Sequence, residues 1–474
     1  MHSSFYRTLI VSSLLVFTGC AKDTKLNIKE ISATEIADME KQANVARNAF
    51  FKKDYITAIN RYEPLLKDMT VNSPLYLLEQ ATSYWLNNDN EQARKKLLLA
   101  ESLLRDFYDA KSEESAISLW GSESEKVYKG DPYEQTVLYI FLGLMLLENG
   151  DIDNALASFK SAQLADSDSK DSLYQTDFGL AQFLEAYCYK LLDKEEAQQT
   201  SLNQSISSFT ITHPQVKDLI NKKQALLKEI EELDSSEKIA LAEKLKILNS
   251  TIDDALKKVD LSYIKPLYSD FNTLLLIWNG KSPIKQGVGE YGEKLVIIKN
   301  PTPINRYEIQ VDNNKWVDGL KGMADISYQA TTRGGRLMDD VLEDQAAFKK
   351  ASYQVGNVLV TAGAAVALGS AQGGSGDGAL IGVGVGAGMM LLGGIAYGVG
   401  SLTSVEADIR SWKVLPNELM VVPLNLTPGK HQFNIDSFEG YIQREHYSLS
   451  ADIYINKPLN IILAVPQSYA VTTK

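Results

Sequence analysis

Two cysteines and four histidines in 474 residues leave little material for metal or nucleophile chemistry. One cysteine, Cys20, closes an apolar N-terminal run, so Cys188 stands alone and no internal disulfide is expected. Cys188 falls in an apolar helical pattern, where an unpaired cysteine ordinarily serves as a small core residue. Basic residues never gather into a stripe. The chain carries 48 Lys and Arg against 60 Asp and Glu, a net charge of −12, which argues against nucleic acid as a partner. His-Glu-x-x-His and paired-cysteine motifs are missing, as are both glycine-rich phosphate-binding signatures. Gly373-Gly-Ser-Gly-Asp377 comes within one residue of Gly-x-Ser-x-Gly but ends on Asp. His431 and His446 could meet across neighbouring strands as metal ligands, although solvent-facing strand positions are the simpler reading. Carboxylates such as Glu195, Glu196, Asp339 and Asp340 belong to helices that normally present them to water. No catalytic residue, metal site or cofactor is expected.

What the sequence does contain begins with Arg7, an apolar stretch from Leu9 to Phe17, and Thr18-Gly19-Cys20. This reads as a lipoprotein-type signal peptide over 1–19, followed by a lipidated N-terminus and linker over 20–30. Small residues before the cysteine admit an extended segment to a peptidase, and a Cys20 thiol carrying diacylglycerol would become the new N-terminus. Phe17 stands where lipoboxes usually have Leu; an ordinary secretory signal and an N-terminal anchor remain as alternatives, and all three export the chain. The segment resembles the sorting pattern of Gram-negative lipoproteins, in which Ala21, rather than Asp, implies the outer membrane.

From 31 to 213 apolar residues recur at spacings of three and four, with small residues where paired helices must touch. The clearest unit places Tyr139, Leu142, Gly143 and Leu146 on one helix and Ala155, Phe159 and Ala162 on the next, around Asn149-Gly150-Asp151. This spacing resembles the tetratricopeptide repeat, with Leu146 in place of the usual Tyr and no closing Pro. Weaker copies turn at Lys53-Asp54 and between Asn87 and Asn90, and a degenerate copy uses Ala186, Tyr189 and Ala197. The resemblance implies a mainly α helical solenoid that binds other envelope proteins on its concave side; a helical spacer without a ligand is the alternative. Over 214–260 two charged amphipathic helices are expected, with Asp234 and Glu237 forming a capping box between them.

Between Val355 and Leu402 fall fifteen of the 31 glycines and a single charge, Asp377. Two apolar runs joined by Gln372–Gly378 predict a helical hairpin over 355–402. Gly378, Gly382, Gly386, Gly394 and Gly398 share one helix face, with Met390 in the missing slot. Such a ridge requires close packing or a bilayer, since each glycine costs about 1 kcal/mol relative to Ala in an exposed helix. The hairpin resembles glycine-zipper regions of envelope lipoproteins, which implies membrane insertion or homo-oligomerisation; a hairpin buried in its own fold is the competing reading.

The remaining 261–354 and 403–474 read as a small antiparallel β domain bracketing the hairpin, with a helix over Leu337–Ser352. Strands are predicted at Lys294–Lys299, Tyr307–Val311, Glu418–Leu426, His431–Ile435, Tyr441–Ser448 and Asn460–Val465, with Trp316 as an anchor. Arg333-Gly-Gly-Arg336 is a basic loop that could hold an anion or serve simply as a turn. Leu426-Thr-Pro-Gly-Lys-His431 with Gly440-Tyr441 resembles the PEGA-type β module. The order of parts, including Ala407-Asp-Ile-Arg-Ser-Trp412, resembles a group of proteobacterial lipoproteins with tetratricopeptide-like N-termini that carry no established activity. The expected role is therefore an outer-membrane-anchored periplasmic scaffold or assembly factor, not an enzyme; the alternative is a membrane-inserting or pore-forming oligomer.

Overall fold

The structure is a computed structural model describing residues 28–29, 31–109, 127–167, 178–209, 270–290, 292–300, 302–312, 315–318, 320–332 and 407–466. Scattered positions between 219 and 251 are also described, and these are helical. Cys20, the Arg333–Arg336 loop, the Leu337–Ser352 helix, the glycine-rich run with Gly378, Gly382, Gly386, Gly394 and Gly398, and the Asp234 cap lie outside the described residues.

The order is helical first and β-rich second. Helices α1 (Ala33–Phe51) and α2 (Tyr55–Tyr62) form one hairpin, α3 (Ser73–Leu86) and α4 (Asn90–Asp109) the next, then α5 (Pro132–Glu148) with α6 (Ile152–Ser167), and α7 (Gly179–Leu191) with α8 (Glu195–Phe209). All four turn alike. Lys53, Asn88, Gly150 and Asp193 each adopt positive φ, with N–H bonded to the carbonyl three residues back, and the following N–H reaches back five. In three turns that following residue is an aspartate whose carboxylate caps the next helix: Asp54 to Thr57 N, Asp89 to Gln92 N and Asp151 to Asn154 N. Gly143 is where α5 meets α6, because a Cβ there would lie 2.5 Å from the buried Phe159 ring.

Among the described residues the β-rich part holds two four-stranded sheets and a two-stranded hairpin. The first sheet has the order β10 (Asn460–Ala464), β1 (Thr273–Asn279), β7 (Glu418–Leu424), β6 (Leu320–Asp325). The second runs β5 (Lys315–Asp318), β4 (Arg306–Val311), β8 (Gly429–Glu439), β9 (Ile442–Ile453), and β2 (Ile284–Val288) pairs with β3 (Lys294–Ile298). A short helix, α9 (Ile326–Thr332), follows β6. The first sheet is mixed rather than purely antiparallel: β1 runs parallel to β10 and antiparallel to β7. Parallel neighbours need a long connection, which the intervening β2 to β9 supply.

Alternation of side chains across β1 explains the layering. Leu274, Leu276 and Trp278 join Leu419 and Val421 in the core shared with the helices, whereas Leu275 and Ile277 join Met420, Val422 and Ile462 against Tyr307, Ile309, Phe433 and Ile435 of the second sheet. The first sheet is thus the middle of three layers. Buried on both faces, β1 reads as an unbroken apolar run, Leu-Leu-Leu-Ile-Trp, between Thr273 and Asn279, without the alternation that marks a half-exposed strand. At one end Tyr187 of α7 stacks on Phe271 with ring centroids 4.4 Å apart and donates to the Pro458 carbonyl at 2.7 Å, fixing the helical layer to the sheet. Among the described residues no helix is long and apolar enough to cross a membrane.

Candidate functional site

The face built by the first helices of three successive hairpins, α1, α3 and α5, carries buried charges. Arg47, only 3% exposed, directs its Nε to the Glu79 carboxylate at 2.8 and 2.9 Å and another nitrogen to Glu40 at 2.5 Å. Tyr62 donates to Glu79 at 3.1 Å. One turn of the array further on, Lys285 of β2 is buried between Asp131 and Glu134, at 2.8 Å from each. Charges out of water require such pairing, because an ion stripped of solvent without a counterion costs several kcal/mol. Burial opposes the Lys285 ammonium, but Asp131 and Glu134 outweigh it and hold its pKa above the ordinary value. Burial likewise opposes the Glu40 carboxylate, and Arg47 and Lys413 overcome it, so its pKa is lowered.

These carboxylates grip the chain's own segment 407–417. Glu134 accepts the Trp412 N–H at 2.6 Å and Glu79 accepts the Lys413 N–H at 3.1 Å, both charge-assisted bonds to backbone. Lys413 Nζ reaches Glu40 at 3.0 Å; Lys285 donates to the Arg410 carbonyl at 2.9 Å and Ser282 to the Lys413 carbonyl at 3.0 Å. Arg410 holds Asp408 through two nitrogens, donates to Asn72 at 2.8 Å and lies over the Tyr128 ring. The Trp412 indole is fully buried, edge-on to Phe141 at 5.6 Å, and its N–H donates to Thr82 at 3.1 Å. The middle of the face built by α1, α3 and α5 is therefore filled by the chain's own segment.

Of the residues singled out by the repeat pattern, Leu142, Ala155, Phe159 and Ala162 are buried, Gly143 faces Phe159, and Tyr139 is half-buried with its hydroxyl near Glu101. Cys188 is buried, and burial followed by the neighbouring Glu185 pushes its thiol pKa up to about 12, which keeps it protonated. Glu195 and Glu196 are exposed at the start of α8. His431 and His446 do not face each other: across β8 and β9, His431 stands opposite Ala451 and His446 opposite Asp436. His431 is buried against Asp312 at 2.5 Å and the Thr427 carbonyl at 2.8 Å, not solvent-facing. His446 meets Asp436 at 2.7 Å and Ser448 at 3.1 Å, but Ser448 donates its one hydroxyl proton to Asn434 at 2.7 Å, on an exposed sheet face. Among the described residues no group of three His, Cys, Asp or Glu side chains could hold a metal ion.

Sequence reasoning missed Glu40, Arg47, Glu79, Asp131, Glu134 and Lys285. A signal was present. Glu79 is the one charge in α3, a helix buried nearly all round, and a charge so placed needs a partner from elsewhere in the fold. Comparison of the chain with family models, with curated proteins and with solved structures returns no match.

Proposed function

We propose that this chain is a lipid-anchored scaffold or assembly factor of the bacterial outer membrane, facing the periplasm and acting by binding, without chemistry of its own. In this reading the helical hairpins are a short tetratricopeptide-like solenoid, and their central face serves as a mount. The observation that carries it is the grip of Glu79 and Glu134 on Lys413 and Trp412. Segment 407–417 follows the 333–406 stretch, which contains the glycine-rich run, so the helical layer grips the chain where it continues from that run. Ser327, at the start of α9, ties to Asn417 through N–H to O at 3.0 Å and hydroxyl to Oδ1 at 2.6 Å, which brings the departing side close to the returning one. Envelope proteins would then be met by the outer surfaces of the helices and by the mounted run, and a second copy of the chain by its glycine ridge.

Crosslinking in intact cells followed by mass spectrometry, with wild type beside a variant lacking 355–402, tests this. Loss of defined envelope partners in the deletion is the expected result; an unchanged partner set would refute the mount. Palmitate incorporation that disappears in Cys20→Ala tests the anchor. The anchoring of the described residues on either side of 333–406 equally favours a second reading, a membrane-inserting or pore-forming oligomer. That reading requires the unlipidated protein to oligomerise and release dye from vesicles, whereas a soluble monomer that leaves vesicles intact rules it out.

A further inference from the structure

Among the described residues β9 and β10 are each the last strand of their sheet, and the segment between them, closed by Asn460 on the backbone of Tyr454, leaves the two free edges on either side of a cleft of about 620 Å³. Its third wall is the turn end of the helical layer, Lys53, Asn88 and Asn90 with Glu148. That volume is in the range of specific ligand sites. Ile461 and Leu463, half-buried on β10, and Leu449 on β9 give the cleft an apolar floor on alternate positions. An unpaired strand edge offers a row of backbone donors and acceptors to any extended chain.

Lys53 marks the Val465 end. It occupies a left-handed conformation, φ 64°, where a side chain costs about 1 kcal/mol or more relative to glycine. Its ammonium is half-buried, donates to the Val465 carbonyl at 2.5 Å and lies over the Tyr447 ring, while no carboxylate of the described residues is within ion-pair distance. Burial pushes its pKa down against the weaker pull of Glu445, which lies beyond ion-pair distance, and an arriving anion would offset the rest of that cost. The cleft's own carboxylates do not supply that anion: Glu148 is engaged by Lys457 and Asn90, each at 2.7 Å, and Asp452 lies on the exposed face of β9.

We propose that this cleft binds an extended acidic peptide segment of a partner protein, which adds as a strand to the free edge of β10 and sets a carboxylate on Lys53. The site is independent of the lipid anchor and of the glycine-rich run, so it stands or falls apart from the function proposed above.

The test is selection of a displayed random-octapeptide library on the intact soluble protein, with Lys53→Gln and Lys53→Arg variants alongside. Expected are binders that carry Asp or Glu among alternating apolar residues, bind Lys53→Gln about tenfold or more weakly, and keep their affinity for Lys53→Arg. On binding, amide exchange over Asn460–Val465 should slow. Unchanged melting of Lys53→Gln separates a binding defect from a folding one. Failure to recover binders, binders indifferent to Lys53→Gln, or protection on the helices instead of β10 would each overturn the proposal.

Discussion

At the scale of single residues, the helical layer depends on one missing methyl and one buried carboxylate. The Phe159 ring leaves no room for a Cβ at Gly143, and Phe159 is fully buried, so the ring cannot swing into solvent. Gly143→Ala should therefore destabilise the protein by about 1–3 kcal/mol, despite the better helix propensity of Ala; a chemical denaturation midpoint equal to wild type would show that α5 and α6 can spread at no cost. Glu79 joins Arg47, Tyr62 and the Lys413 backbone in one buried cluster. Its removal leaves the buried Arg47 Nε without its acceptor and Glu40 as the carboxylate that remains to the guanidinium. Glu79→Ala is expected to cost about 3–5 kcal/mol, and a second change, Arg47→Met, should recover part of that loss. The small residues of the helical pairs were visible in the sequence, because helix crossings demand them at fixed spacing. The partners of Glu79 were not, because they come from positions 32 residues before it and 334 after it.

At the scale of elements, each helical turn is written locally and each sheet contact is not. A residue in the left-handed region followed by a capping aspartate ends one helix and starts the next, so Lys53-Asp54 and Asn149-Gly150-Asp151 could be recognised as turns from the chain alone. Strand β1 escaped recognition for the opposite reason: a strand covered on both faces has no alternation to reveal its period. In the outer sheet, His431 of β8 bridges to Asp312, beside β4, and that bridge makes stability depend on pH. Burial works against the imidazolium, yet the Thr427 carbonyl and Asp312 outweigh it, so the folded pKa lies above the ordinary 6.5. A raised folded pKa contributes stability that is complete below the unfolded value and is lost as pH climbs through the folded one. Asp312 behaves oppositely: the Gln432 N–H, aided by His431, lowers its pKa, and its contribution disappears as pH falls. The melting-temperature gap between wild type and His431→Asn should accordingly be wider near pH 6 than near pH 9; a gap independent of pH would remove the bridge from the account.

At the scale of the whole molecule, one core runs from Ala43 in α1 through Trp412 to Val465 after β10, so the helical layer and the middle sheet are expected to unfold together. Trp412→Ala, which empties the point where helices, sheet and segment 407–417 meet, should cost about 3–5 kcal/mol and lower the helical and the sheet signals by the same amount in thermal melts. Two separated transitions would show instead that the layers are independent domains. Composition and local pattern were sufficient to establish the order of parts, helical pairs before β strands, because helix period, turn chemistry and half-exposed strands are properties of neighbouring residues. The parallel pairing of β1 with β10, the burial of Lys285 between Asp131 and Glu134, and the filling of the helical face by 407–417 were decided only by the tertiary structure. Each of these joins groups more than 100 residues apart, and a chain read in order carries no periodic trace of contacts made across such distances.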